Sequence, residues 1–174
     1  MTVKIRAKIL TEVVSMVALA GVLEFVSGFL PFQMPEGGRI TLAAMIPIFF
    51  VAVRRGPRIG ILAGIAFGLV VLIEEPYIYH PIQFLLDYPL AFGALGLAGF
   101  FRKQPLIGVA VGIAGRFLCH FTSGLVFFAS YAPAGMNPAL YSAIYNAWYL
   151  GPELVISEIV MYVLMRRGIL QLYL

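Results

Sequence analysis

Six long apolar stretches constrain this chain more than any other feature. They run over 9–30, 40–53, 59–73, 82–101, 106–130 and 139–165, parted by turn-like or charged segments. A helix needs about 20 apolar residues to cross a bilayer. The second and third stretches are therefore short, and the second needs a contribution from the segment before it. Composition agrees: 61% of the residues are hydrophobic and 11% charged, whereas a soluble domain is closer to half and a quarter. A water-soluble fold of 174 residues could not hide that much apolar surface. The expectation is an all-α integral membrane protein: a six-transmembrane-helix bundle forming a single domain over 1–174.

The basic residues set the orientation. Lys4, Arg6 and Lys8 precede the first stretch, Arg54, Arg55 and Arg58 join the second to the third, Arg102 and Lys103 join the fourth to the fifth, and Arg166 and Arg167 follow the sixth. Ten of the twelve thus fall on one side, against Arg39, Glu36, Glu74 and Glu75 on the other. The positive-inside rule places both termini in the cytosol. The net charge of +4 is then an orientation signal, and no nucleic-acid surface is expected. The first stretch is too long, and with Glu12 and Glu24 too acidic, for a cleaved leader. Cys119 is the sole cysteine and has no partner for an internal disulfide. Gly60, Gly64 and Gly68, and also Gly108 and Gly112, form ridges that let helices approach closely in lipid.

Ionisable groups inside a membrane need a partner or a use. The set is Glu12, Glu24, Asp87, Arg116, His120, Glu153 and Glu158, joined by Asn146. At 1.5 Å per residue, Asp87, His120, Glu24 and Asn146 come out roughly 8–10 Å below the outer face of a core about 30 Å thick. Four helices thus contribute to one layer that opens outward. Arg116 and Glu153 fall near the midplane, where an ion pair is the expected arrangement, with Glu158 as a competing partner. Glu12 lies near the inner interface, close to Lys8.

The outer layer has the richer chemistry. Arg116 and His120 stack at i,i+4, Gly124 continues that face, and Phe127 and Phe128 lie above. The last helix carries Tyr141, Tyr145, Trp148 and Tyr149, and the segment Glu74 to Pro81 is acidic and aromatic. A carboxylate among aromatic rings suits a flat organic cation. Aromatic residues near membrane ends are also common interface anchors, and that is the expectation for Tyr131, Tyr149 and Trp148. No phosphate-binding lysine loop, dinucleotide fingerprint, zinc set or nucleophile motif is present. The sequence therefore points to a binding protein that borrows its energy source, not to an enzyme, and calls for no cofactor.

Tyr77 to Tyr88 (YIYHPIQFLLDY), His120 to Gly124 (HFTSG), Tyr131-Ala132, Gly135 to Ser142 (GMNPALYS) and Asn146 together resemble the thiamine-specific substrate-binding subunits of energy-coupling-factor transporters. Thr11-Glu12, Ile46-Pro47 and Arg54-Arg55-Gly56 also fit, and the resemblance covers nearly the whole chain. It implies thiamine captured from outside, and as partners a transmembrane coupling subunit and two cytosolic ATPases in the plasma membrane of a prokaryote. It places Asp87 against the thiamine cation, with Tyr88 beside it. Tyr77 becomes a loop tyrosine that closes the pocket, His120 and Asn146 polar contacts, Tyr141 a ring contact, and Phe128 a substitute for a stacking tryptophan. Where the family has glutamate, Asp87 is shorter by one carbon.

Two departures stand out. A tryptophan and a glutamate found in some members at the first outer loop and the next helix read here as Gly38 and Leu42, with Glu24 or Glu36 as candidate replacements. The alanine docking ridge for the coupling subunit falls at Val14 and Ala18. Alternative readings are the same architecture for another vitamin or precursor, or a stand-alone proton-coupled carrier using Glu153, Arg116 and His120 as a relay.

Overall fold

In a computed structural model the described residues are 3–34 and 37–170. Six main helices follow in chain order, α1 (Val3–Ser27), α2 (Ile46–Arg55), α3 (Pro57–Glu74), α4 (Pro81–Phe101), α5 (Pro105–Phe127) and α6 (Pro138–Arg166), with a short 3-10 turn at Ala129–Tyr131 between the last two. All but α2 are long and apolar enough to cross a membrane, so the expected membrane bundle is what forms. Proline opens each helix from α2 to α6 at its first or second position, where its missing N–H costs nothing and its fixed φ suits the helix. The His80 imidazole accepts the Ile82 N–H to cap α4, and the Asn137 side chain accepts the Ala139 N–H to cap α6.

The second span is broken. Helix α2 covers ten residues, about 15 Å, half the hydrocarbon core. Residues 40–45 reach it without forming a regular helix. Irregular backbone at membrane depth survives only where protein satisfies its polar groups. The Thr41 N–H donates to the Glu153 carboxylate, the Leu42 N–H to Ser27 Oγ (2.8 Å), and the Ala44 N–H to Thr41 Oγ1 (3.2 Å). Helix α2 itself is buried from Ile46 to Arg54, and its Phe49 and Ile48 belong to the same apolar core as Phe67, Phe92 and Leu95.

This arrangement corrects the expected midplane ion pair. Glu153, 1% exposed, spends Oε1 on the Thr41 N–H. Arg116 instead donates Nε–H to His120 Nε2 (3.2 Å) and Nη1–H to Met45 Sδ (3.0 Å), and its guanidinium lies 4.2 Å from the Phe92 ring centroid. Neither Glu153 nor Glu158 pairs with it. An unsatisfied backbone N–H in a broken span claims the carboxylate, and an aromatic face takes the cation.

The glycine ridges work as expected. A Cβ on Gly68 would sit 2.6 Å from the Tyr88 carbonyl oxygen, and one on Gly60 2.5 Å from Ala52 Cβ. A Cβ on Gly112 would meet Phe49 at 2.7 Å. Helices α2, α3, α4 and α5 therefore touch backbone to backbone. At one end of the bundle Glu12 pairs with Arg54 (2.7 Å) and Arg55 rather than with Lys8. There Arg102 donates to the carbonyls of Val53 and Arg54 (2.8 and 2.7 Å), capping α2. Helix α1's start and the ends of α2 and α4 thus meet where the basic clusters lie. The polar cavity opens at the other end.

Candidate substrate-binding site

Helix α4 is not regular where it matters. Over Leu86–Leu90 it widens into a π-type turn that contains Pro89. Proline has no N–H to donate and its ring crowds the carbonyl four residues back. A wider turn relieves both, and such turns concentrate at functional sites. Asp87 and Tyr88 sit on this turn, held against α3 by the close approach at Gly68.

Around it lies a cavity of about 600 Å³, well inside the range of small-molecule sites. Asp87 anchors its polar part. Ser123 Oγ–H and Gln83 Nε2–H both donate to Asp87 Oδ2 (2.7 Å each), and His120 Nδ1 lies 3.0 Å from Oδ1. A carboxylate offers about four lone-pair sites, so one remains for a ligand. Gln83 also bonds the Tyr77 carbonyl (3.2 Å) and accepts the Tyr79 N–H (2.9 Å), tying the acidic, aromatic loop to the acid.

Aromatic rings form the walls. Phe128 packs between Tyr77 and Tyr131, 5.8 Å from each ring centroid, and the hydroxyls of those two tyrosines meet at 3.3 Å. Along α6, Tyr141, Tyr145 and Tyr149 follow one another at 6.1 Å, and Tyr149 presents an edge-on contact to His120 at 6.3 Å. The Tyr149 hydroxyl donates to Asn146 Oδ1 (2.8 Å), and Asn146 Nδ2–H donates to the Ser142 carbonyl (2.9 Å). These bonds fix which way the amide faces. Tyr88 plays a different part from the one expected of it alone. Its hydroxyl accepts the Tyr77 N–H (3.1 Å) and donates to the Glu75 carbonyl (3.0 Å), so it fastens the loop as well as lining the cavity.

All eight residues singled out in the sequence line this one cavity: Glu24, Tyr77, Asp87, Tyr88, His120, Phe128, Tyr141 and Asn146. Tyr131 and Tyr149, expected as interface anchors, line it too, and for Tyr149 that expectation is corrected: it is buried, with its hydroxyl spent on Asn146. Trp148, 47% exposed, faces outward as expected. Glu36 lies outside the described residues, and Leu42 is exposed away from the cavity. Gly38 does line it. Its N–H donates to the Tyr145 hydroxyl (3.0 Å), and a Cβ there would lie 2.8 Å from the Tyr149 ring. Those tyrosines occupy the space that a larger residue at 38 would need.

Sequence reasoning passed over Arg39, Gln83, Ser123 and Ser142. Arg39 is buried with Glu24 (2.9 Å) and also reaches Glu75 (2.5 Å). Burial by itself would weaken its charge, but the two carboxylates outweigh that and hold the guanidinium above its usual range. The signal was present: Arg39 is the single basic residue among the acids of the outer side. In total the cavity lining holds four carboxylates (Glu24, Glu74, Glu75, Asp87) against two guanidiniums (Arg39, Arg116). An excess of negative charge among aromatic rings favours a cationic organic guest.

A membrane-embedded helical bundle with such a cavity at one end defines a small-molecule-binding membrane protein. The model of a family described as thiamine transporter protein (Thia_YuaJ) matches residues 10–171, and the chain belongs to that family. It is 38% identical over 169 residues to a thiamine transporter ThiT of Bacillus subtilis, covering 87% of each chain. To a thiamine transporter ThiT of Lacticaseibacillus paracasei it is 33% identical over 122 residues, covering 59% of this chain and 61% of that one. A solved structure of ThiT from Listeria monocytogenes superposes with a TM-score of 0.82 at 27% identity, covering 94% of this chain and 96% of that chain. With its apolar helices and bacterial relatives, the chain is a multi-pass plasma-membrane protein of a prokaryote.

Proposed function

We propose that this chain captures thiamine from the outer side of the membrane and serves as the substrate-binding subunit of an ATP-driven energy-coupling transporter. The observation that carries the reading is Asp87: a carboxylate with one lone-pair site left open, in an aromatic cavity richer in acids than in bases. The thiazolium ring of thiamine supplies a flat cation for the tyrosines and Phe128. Its aminopyrimidine supplies N–H donors for the remaining Asp87 site. Relatives named as thiamine transporters support the same substrate.

The chain acts here as a binding protein and not as a catalyst. Its partners are a transmembrane coupling subunit and two cytosolic ATPases. Val14 and Ala18 lie exposed on one face of α1, where a coupling subunit could dock. The proton-relay alternative has its Arg116–His120 contact but no hydrogen bond from Arg116 to Glu153, whose Oε1 accepts the Thr41 N–H.

Calorimetric titration of the purified chain tests the substrate. Saturable binding of one thiamine per chain, with a change in tyrosine fluorescence, is expected. No binding, or preference for a different vitamin, overturns the assignment. Co-purification of a coupling subunit and ATPases tests the partners. Uptake by the isolated chain that an uncoupler abolishes would replace this reading by a proton-coupled carrier.

A further inference from the structure

We infer that Arg116 is a positioning residue that locks His120 as the neutral tautomer with its proton on Nδ1, so that the cavity keeps its charge as pH changes. The inference deepens the reading of the cavity as a site for an organic cation and rests on it.

The argument starts from donors and acceptors. A guanidinium has only donors and stays protonated at any physiological pH. Arg116 Nε–H points at His120 Nε2 across 3.2 Å. That nitrogen must therefore accept, and cannot carry a proton. The other ring nitrogen, Nδ1, lies 3.0 Å from Asp87 Oδ1, and a carboxylate there requires an N–H. One tautomer satisfies both contacts, and the doubly protonated ring satisfies only the second.

Arg116 is itself held in place. It stands one turn below His120 on α5, its guanidinium 4.2 Å from the centroid of Phe92 on α4, with Nη1–H on Met45 Sδ. The Glu153 carboxylate lies within electrostatic range of the guanidinium but forms no ion pair with it, and its Oε1 accepts the Thr41 N–H. The titratable groups that face His120 are Asp87 from α4, Tyr149 from α6 and Arg116 on its own helix. Tyr149 meets it only edge-on, and its hydroxyl is committed to Asn146.

The consequence is functional. A histidine beside a carboxylate ordinarily gains a proton as pH falls and becomes a cation. A charged imidazole would neutralise Asp87 and repel a cationic ligand. Arg116 supplies the positive charge permanently, one residue removed from the ligand, and His120 passes it to Asp87 as an oriented neutral donor.

The test uses the full chain, labelled with 15N-histidine and reconstituted in nanodiscs without ligand. His120→Gln assigns the signals, since His80 is the only other histidine. The expected wild-type spectrum shows protonated Nδ1 and bare Nε2 for His120, unchanged from pH 8 to pH 5.5. In Arg116→Met the lock is gone. With Nε2 relieved of the Arg116 N–H it can accept a proton, and the imidazole beside Asp87 becomes able to turn cationic as pH falls. Thiamine affinity of the variant, relative to wild type, then falls several-fold between pH 8 and pH 5.5. A wild-type His120 protonated on Nε2, or titrating within that range, overturns the inference even if Arg116→Met fails to fold. A flat pH profile in a folded variant overturns it as well. The spectrum needs no ligand, so failure of thiamine to bind strikes the proposed function and leaves the tautomer to be judged by itself.

Discussion

Replacing Asp87 with asparagine separates charge from shape at the centre of the cavity. Ser123, Gln83 and His120 already donate to Asp87, so about one lone-pair site is left. Asparagine removes the charge and turns one acceptor oxygen into an NH2 group that faces existing donors. At an effective dielectric of about 20, unit charges about 5 Å apart interact by about 3 kcal/mol. A hydrogen bond to a charged group contributes about 1.5–3 kcal/mol. The two figures describe one contact and do not add. The expected loss for thiamine is about 2–3 kcal/mol, a Kd raised about 30- to 150-fold. Disturbance of the donors around residue 87 penalises any ligand, whereas loss of charge penalises only a cation. Titration calorimetry is therefore run on wild type and Asp87→Asn with both thiamine and an uncharged analogue lacking the ring cation. The analogue should lose far less than thiamine. Equal losses for the two ligands, or a thiamine Kd within about twofold of wild type, would refute the role given to Asp87.

Other expectations follow from the same contacts. Glu24→Gln leaves the buried Arg39 with Glu75 as its remaining carboxylate; it should cost about 1–3 kcal/mol of stability in thermal unfolding and weaken thiamine binding at least several-fold, and unchanged affinity would remove Glu24 from the site. Pro89→Ala restores an N–H and lets the π-type turn over Leu86–Leu90 close into a regular helix. Asp87 then rotates off its partners, and affinity should fall about tenfold with little change in unfolding temperature. At residue 153, glutamine keeps an acceptor for the Thr41 N–H and should leave the unfolding temperature near wild type. Leucine orphans that buried N–H and should cost about 1–3 kcal/mol in the same measurement.

What was legible in the sequence, and what was not, divides along the regularity of the backbone. Counting 1.5 Å per residue along a straight helix placed Glu24, Asp87, His120 and Asn146 in one layer, and they line one cavity. Helices α1, α5 and α6 are continuous where Glu24, His120 and Asn146 sit, so depth follows from position; Asp87 lies on the widened turn of α4, but within two turns of the helix's start, too near for the irregularity to shift its depth far. The same arithmetic failed for Arg116 and Glu153. Depth says nothing about rotation around the axis, and the competing partners lie on backbone the pattern could not foresee. Residues 40–45 read as apolar, hence as helix, yet form a break whose N–H groups recruit Glu153, Ser27 and Thr41. Likewise 82–101 reads as one uninterrupted span, and only the fold shows that the chain widens at Pro89. The two irregular segments are linked through Met45, at the threshold of α2, which takes an Arg116 N–H, while Arg116 reaches Asp87 through His120. A change at the broken span should thus be felt at the cation site. Met45→Leu keeps the apolar volume and removes the sulfur acceptor, so it should alter the His120 15N signals while leaving the unfolding temperature nearly unchanged. Unaltered signals would mean that Phe92 and His120 suffice to hold the guanidinium, and that the break in α2 serves packing alone.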